Sequence, residues 1–282
     1  MIMKVLFNSF FLFSLLLISV TQCDRVNPED LVNIPDPDFL TELIKAGVDQ
    51  DGDGHISHSE AQAVISIDIG PSSVVDITGI EAFIHLDTLR LTLSPVGSFD
   101  ISKNEALRFL ECTGLELNLL DLSGNGALEY LDCSGGAAMS NRLTQLDISN
   151  NPDLEVLHCE ENQLTALDLS YNTRLKEVFC GRNLIPTLDV SGNVSLSRLV
   201  LNNNRITSIN VSNNTSLKKL ITCGNQLSSL DVSNNTGLVL LGVDNMATIQ
   251  EVCVWTTPFP PSGVMVLMGY SPNVYFTTEC DQ

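Results

Sequence analysis

The sequence predicts a mainly β solenoid with short helices, built from about nine coils of ~21 residues. Three observations carry this. Residues 154–174, LEVLHCEENQLTALDLSYNTR, and 175–195, LKEVFCGRNLIPTLDVSGNVS, share one frame, which continues through LSRLVLNNNRITSINVSNNTS and LKKLITCGNQLSSLDVSNNTG. The shared pattern L-x-x-L-x-[LC]-x-x-N-x-L is that of a leucine-rich repeat. Coils begin at Leu86, Leu107, Leu128, Leu154, Leu175, Leu196, Leu217 and Leu238, all spaced by 21 residues except one step of 26, where an insertion near residues 135–140 predicts a bulging loop.

Apolar residues recur at offsets 0, 3, 5, 10, 13 and 15 of each coil, as in Leu154, Leu157, Cys159, Leu164, Leu167 and Leu169. The alternation at 3 and 5, and again at 13 and 15, predicts two short strands per coil with these side chains inward. One coil cannot bury its own apolar face, so neighbouring coils must stabilise one another. Asn at offset 8 (Asn162, Asn183, Asn204, Asn225) and at offset 18 (Asn104, Asn125, Asn151, Asn172, Asn193, Asn214, Asn235) suits turns, where its side chain bonds to backbone groups. Asp100, Asp121, Asp147, Asp168, Asp189 and Asp231 share offset 14 with Asn210, and Ser follows at offset 16. A structural turn role is expected for this row, against a cation or glycan site. An earlier, less regular coil starts near Val64 and runs through DITGIEAFIHL with a short helix.

Four regions follow one another: 1–23, a signal peptide; 24–62, a helical N-terminal cap; 63–245, the repeats; and 246–282, a C-terminal cap. In the first, Lys4 precedes the apolar run VLFNSFFLFSLLLISV, too short for the ~20 residues of a spanning helix. Cleavage is expected between Val20 and Asp24, with Cys23 as an alternative lipid anchor. No second long apolar stretch exists, so no transmembrane span is expected in the mature chain.

The net charge of −20, with 34 acidic against 14 basic residues, excludes nucleic acid as a natural partner, because phosphate backbones are held by basic patches. Cations or basic partners fit the sign. Residues 49–60, DQDGDGHISHSE, match the calcium-loop pattern D-x-[DN]-x-[DN]-G-x₅-E at every constrained position. Asp49, Asp51 and Asp53 offer carboxylates, Gly54 the sharp turn, His55 its backbone carbonyl, Ser57 a direct or water-mediated contact, and Glu60 a bidentate carboxylate. Hard oxygen donors select Ca²⁺. Helices should flank the loop. One is capped by Asp36 with Pro37 in its first turn, shares a face of Phe39, Leu40, Leu43 and Ile44, and ends at Gly47; the other is capped by Ser57. A lone loop argues against a sensor that opens a groove, so the ion is expected to be mainly structural.

The outward positions of the first strand vary from coil to coil and predict an exposed stripe through Phe109, Tyr130, His158, Phe179, Val200 and Ile221, a candidate partner-binding face. Ordinary sheet-surface packing is the competing account. Cys112, Cys133, Cys159 and Cys180 share the inward offset 5, whereas Cys223 at offset 6 faces outward without an explanation. Cys253 and Cys280 bracket an irregular, proline-rich segment. In an exported chain they are expected to pair, closing a loop worth about 3.5 kcal/mol by chain entropy.

The LDLSxN and LDVSxN coils, the Cys or Leu at offset 5 and the DITGIEAF coil resemble secreted or surface-attached bacterial leucine-rich-repeat proteins, broadly internalin-like, over residues 24–282. That resemblance implies adhesion or protein recognition at the outer surface of a bacterium, or secretion from it. A carbohydrate-binding surface protein is the alternative. No HExxH, Walker loop, GxSxG or paired-carboxylate signature is present and the four histidines are scattered, so no enzymatic activity is expected.

Overall fold

A computed structural model describes residues 30–136, 140–271 and 273–280; the predicted signal peptide and Cys23 lie outside them. Two helices come first, α1 (Pro37–Lys45) and α2 (His58–Ala63). Asp36 caps α1, accepting the N–H groups of Asp38 and Phe39, and Pro37 occupies the first turn. Phe39 and Leu43 are fully buried beneath it. Gly47, at φ +80°, stops the helix: its N–H reaches the carbonyl of Ile44, and that of Val48 reaches Leu43. Ser57 caps α2 in a reciprocal capping box with Glu60.

Among the described residues, ten strands then form one parallel sheet: β1 (Ser66–Ile69), β2 (Thr88–Thr92), β3 (Phe109–Thr113), β4 (Tyr130–Asp132), β5 (Val156–His158), β6 (Glu177–Phe179), β7 (Arg198–Val200), β8 (Lys219–Ile221), β10 (Leu240–Gly242) and β12 (Met265–Leu267). Nine of these are the predicted coils, and the tenth comes from the segment after them. A 3₁₀ turn at Ile80–Ala82 is the short helix expected in the irregular early coil. The register stacks Leu110, Leu131, Leu157, Val178, Leu199, Leu220 and Leu241 in one continuous row, all fully buried. Each such leucine contributes about 1.5–3 kcal/mol.

The second strand per coil is a correction. Among the described residues only β9 (Ser229–Asp231), β11 (Glu251–Cys253) and β13 (Tyr275–Thr277) pair on that side, in a small sheet at the C-terminal end. In the earlier coils the inward apolar pattern is kept: Leu167 and Leu169 are buried. An aspartate row runs along this side in coils with and without a ladder; Asp231, within β9, accepts the Ser233 N–H as well. Asp100, Asp121, Asp147, Asp168 and Asp189 each accept the N–H of the serine two residues on, as Asn210 does, folding the chain into Asx turns. These bonds hold all five aspartates below the usual carboxylate value.

The two asparagine rows join coil to coil. Asn183 accepts the N–H of Leu164 in the preceding coil at 3.0 Å and donates to the carbonyls of Cys159 at 2.9 Å and Cys180 at 3.1 Å. Asn162, Asn204 and Asn225 repeat the pattern. In the coil carrying the insertion, Asn141 takes this role, accepting from Leu115 and Leu117 and donating to Cys112 and Cys133. The offset-18 row works differently. Asn172 donates to the carbonyls of Ile148 and Asn151, and Asn214 to those of Val190 and Asn193.

Cys253 and Cys280 are disulfide-bonded, with Cα atoms 5.5 Å apart, and Trp255, Phe259 and Phe276 pack edge-on and tilted beside them. Cys112, Cys133, Cys159 and Cys180 are free and buried. Burial pushes the Cys180 thiol up to about 12, and those of Cys112 and Cys159 well above their ordinary value, so they stay protonated and unreactive. Cys223 is half-buried on the outward row, its sulfur 3.4 Å from the Asp244 N–H, which it accepts.

Replacing Asn183 by Ala leaves the Leu164 N–H unpaired in the interior, at a cost of about 1–3 kcal/mol, while the Cys159 carbonyl keeps the Asn162 amide at 3.3 Å. Urea unfolding should show a loss of about 1–3 kcal/mol for Asn183→Ala. The exposed Asn213→Ala should change stability by less than about 0.5 kcal/mol.

Candidate functional site

Two places concentrate chemistry: the N-terminal acidic loop and the open face of the ten-stranded sheet. In the loop, the carboxylates of Asp49, Asp51 and Asp53 lie within 4.8 Å of one another. Gly52 and Gly54, at φ +76° and +84°, make the tight path that brings them together. Internal bonds fix the loop. Asp49 accepts from the N–H groups of Gly52 and Gly54, Asp51 from that of Asp53, and Asp53 from that of His55. Glu60 ties the two ends: Oε1 accepts the Gln50 N–H at 2.7 Å, and Oε2 accepts the Ser57 N–H and hydroxyl, each at 2.8 Å. Burial alone would push the Glu60 carboxyl up. The donors on Ser57 and Gln50 outweigh it and hold the group below its ordinary value.

The residues expected at the loop therefore meet in one turn, with three carboxylates converging and Glu60 spent partly on the capping box. The donor set is oxygen throughout and suits a hard cation. Each like-charged pair at this spacing repels by about 1 kcal/mol in water and several times that at an effective dielectric of 20.

The loop is anchored on both sides. Ile56, fully buried, gives its carbonyl to the Val32 N–H at 2.8 Å, and Leu31 bridges to Ser57. Asp36 does more than cap α1. Its second oxygen accepts the N–H groups of Val75 at 2.8 Å and Asp76 at 3.0 Å, which belong to the first coil. Only 7% exposed, this carboxylate clamps the helical cap to the solenoid. Burial opposes its charge, but the four N–H donors prevail and keep its pKa below the usual range.

On the sheet face, the register aligns outward side chains in rows. One row holds Phe109, Tyr130, Val156, Glu177, Arg198, Lys219, Leu240 and Met265; the next holds Asp68, Arg90, Glu111, Asp132, His158, Phe179, Val200, Ile221 and Leu267. The rings of Phe109 and Tyr130 stack at 4.0 Å and 4°, those of His158 and Phe179 at 4.4 Å and 9°, and Tyr130 meets His158 edge-on at 5.7 Å. Arg90 covers the far face of Phe109 at 4.5 Å, and Lys219 lies 5.2 Å from the centre of the Phe179 ring. The aromatic part of the predicted stripe thus forms one continuous series of ring contacts across four strands.

Val200 and Ile221 are corrections to that stripe. They lie on the row but are only 7% and 9% exposed, not open to a partner. Ile221 leans over Gly242, which has no side chain to hold it off the sheet. The exposed apolar contribution at that end comes instead from Met265 and Leu267, at 62% and 40% exposure.

Carboxylates flank the aromatic stack. Asp132 lies 3.6 Å from the Nδ1 of His158, and both side chains are about four-fifths covered. Burial would raise the Asp132 carboxyl, yet His158 and the Ser134 N–H hold it low. Burial, reinforced by Asp132, raises the Glu111 carboxyl; burial also raises that of Glu160. Burial and the charges of Asp132 and Glu111 push the Tyr130 phenol up to about 12.

No family model matches the sequence, and no curated protein matches it. Solved structures do. The functional domain of InlJ from Listeria monocytogenes, described as including a cysteine ladder, is 29% identical, with a TM-score of 0.63 over 78% of this chain and 55% of that one. This chain therefore spans about half of that domain's length. Internalin C2 of the same organism is 20% identical over 73% of this chain and 93% of its own, with a TM-score of 0.63. A leucine-rich-repeat protein of Leptospira interrogans is 16% identical over 80% and 76%, with a TM-score of 0.50. The structural neighbours are bacterial leucine-rich-repeat proteins, internalins among them. The solenoid is of that type, and its four buried cysteines at one position of successive coils parallel the ladder described for InlJ. Among the described residues no helix is long and apolar enough to cross a membrane.

Asp36→Ala removes a helix cap, worth about 1 kcal/mol, and leaves the Val75 and Asp76 N–H groups unpaired, at about 1–3 kcal/mol each. Its folded-state pKa is depressed, so the native carboxylate stabilises fully above the unfolded value near ~4. That contribution fades as pH falls through the lower folded value. Urea titrations should show a gap of at least about 3 kcal/mol between the native protein and Asp36→Ala at pH 7, narrowing as pH falls below about 4.

Proposed function

We propose that this is an exported protein that acts in adhesion or protein–protein recognition through the open face of its parallel sheet. The observation that carries this reading is the face itself. Parallel sheets are ordinarily covered on both sides, whereas here one side of ten strands is left bearing an ordered aromatic and charged stack. Preordered side chains lose little entropy when a partner arrives. The likeness to the InlJ domain, at 29% identity, points the same way. The loop at 49–60 is proposed to hold Ca²⁺ through Asp49, Asp51 and Asp53 with the His55 carbonyl, Ser57 and Glu60. The ion would neutralise the converging carboxylates and order the N-terminal cap without chemistry of its own.

The competing glycan reading has less support. Sugars are gripped by open aromatic faces, and those of Phe109, Tyr130, His158 and Phe179 are spent on one another, on Arg90 and on Lys219.

Two measurements test the proposal. Purified chain with Tyr130→Ser and Phe179→Ser should lose adhesion to any surface or protein the native chain holds, by at least tenfold, while its melting transition stays cooperative. Retained binding would remove the face from the mechanism. For the ion, ~10 mM Ca²⁺ against a Kd near ~1 mM gives about 1.4 kcal/mol of stabilisation. The melting temperature should rise with Ca²⁺ in the native chain and not in Asp49→Asn/Asp51→Asn, which keeps the Glu60 capping box. Equal shifts would exclude the site.

A further inference from the structure

The open face is electrically and chemically polarised along the solenoid axis. At the N-terminal end, strands β1 to β5 and the turn after β5 present Asp68, Glu111, Asp132 and Glu160 against a single guanidinium, Arg90. Arg90 is shared between Asp68 at 3.8 Å and Glu111 at 3.4 Å. That leaves Asp132 facing His158, and Glu160 has no direct ion pair among the described residues, only the more distant charges of His158 and Lys219. Toward the middle the sign reverses. Arg198 and Lys219 are direct neighbours in one row, and among the described residues only Arg198 of the two makes a direct ion pair, with Glu177 at 3.0 Å. Beyond them the face becomes apolar through Leu240, Met265 and Leu267.

Resting on the recognition reading above, we propose that the partner is a protein whose contacting segment carries arginine or lysine side chains, seated among Glu111, Asp132 and Glu160, with an apolar end laid over Met265 and Leu267. Charge complementarity is the ground. The crowded carboxylates at the acidic end repel one another, and a cationic side chain relieves that repulsion where water is already largely excluded. The ring faces beside them are occupied, so a cation there meets carboxylates and not an aromatic face. The Arg198–Lys219 pair repels a basic segment placed further along, which fixes the direction in which the partner lies.

The test uses random peptides displayed on phage, selected on the full chain and sorted into those that bind through the face, by loss of binding to Tyr130→Ser/Phe179→Ser, and those that do not. Face-dependent peptides should be enriched in Arg and Lys. They should weaken at least tenfold against Glu111→Gln/Asp132→Asn/Glu160→Gln, and bind less tightly as salt rises from about 50 to 300 mM. Glu160→Gln alone, at a half-covered site without a hydrogen bond to lose, should still weaken them severalfold and covers the case in which the triple variant misfolds. Arg198→Gln/Lys219→Gln should bind basic peptides at least as well as the native chain. Face-dependent peptides without basic residues, indifferent to Glu160→Gln, would overturn the proposal while leaving the recognition face standing. Selection that yields no face-dependent peptide would count against both.

Discussion

The structure depends on one constraint: at the buried corner after the first strand, each coil satisfies backbone polar groups by bonding to the coil beside it. A turn at the edge of a two-layer coil has no helix or long ladder to absorb its N–H and carbonyl groups, yet it is pressed against the apolar interior, where an unpaired group costs about 1–3 kcal/mol. Asparagine resolves this because one planar amide both donates and accepts. Asn183 reaches the Leu164 N–H on one side and the Cys159 and Cys180 carbonyls on the other. A hydroxyl lacks the reach, and a carboxylate cannot donate. The leucines supply the burial, but burial is non-directional. The amides set the rise and the phase at which coils stack.

Once rise and phase are fixed, everything outside the core is arranged in rows, and the surface inherits that order. Ion pairs fall one coil apart: Arg108 with Glu129, Lys176 with Glu155, Arg182 with Glu161, Arg198 with Glu177 and Arg174 with Asp153. Each is exposed and worth little alone, about 0–1 kcal/mol. In these positions a charge in one coil is offset by its opposite in the next. On the open face this alternation breaks, and Glu111 sits in register with Asp132, and Arg198 with Lys219. Like signs also meet along the aspartate row, where Asp147 and Asp189 flank Asp168, but there each carboxylate is taken up by its own serine N–H, whereas Glu111 on the open face has no such backbone donor among the described residues.

The interior was legible in the sequence because its signal is a period: one residue in each of many equivalent coils, all facing the same row. The second strand was not, because apolar alternation records which side chains turn inward and says nothing of where the N–H groups go. Asn141 escaped notice because the insertion displaced it by five positions from its frame, although it makes more bonds than its regular counterparts. Val200 and Ile221 point to the open side as their position in the strand predicts. Their burial is decided by the neighbouring coils, where Gly242 leaves a gap, and no single-coil pattern encodes that. The aromatic stripe was legible as positions; the self-stacking that closes its ring faces was not.

The N-terminal module shows how a local motif becomes part of a solenoid. A row of coils must be closed at its ends, since the first coil has no predecessor to take its polar groups or cover its leucines. Here Phe39 and Leu43 supply the cover, and Asp36 supplies what the missing coil would have: an acceptor for the Val75 and Asp76 N–H groups. The same carboxylate caps α1, which leads into the acidic loop, and α2 leaves it through the Ser57–Glu60 box toward β1. The loop is therefore spanned by two helices whose placement the solenoid fixes. An ion that tightened the loop would act on a geometry already set, adding to the stability of the end without altering the sheet. By this connectivity a cation bound there would be structural, since Asp36 already ties the cap beside the loop to the first coil.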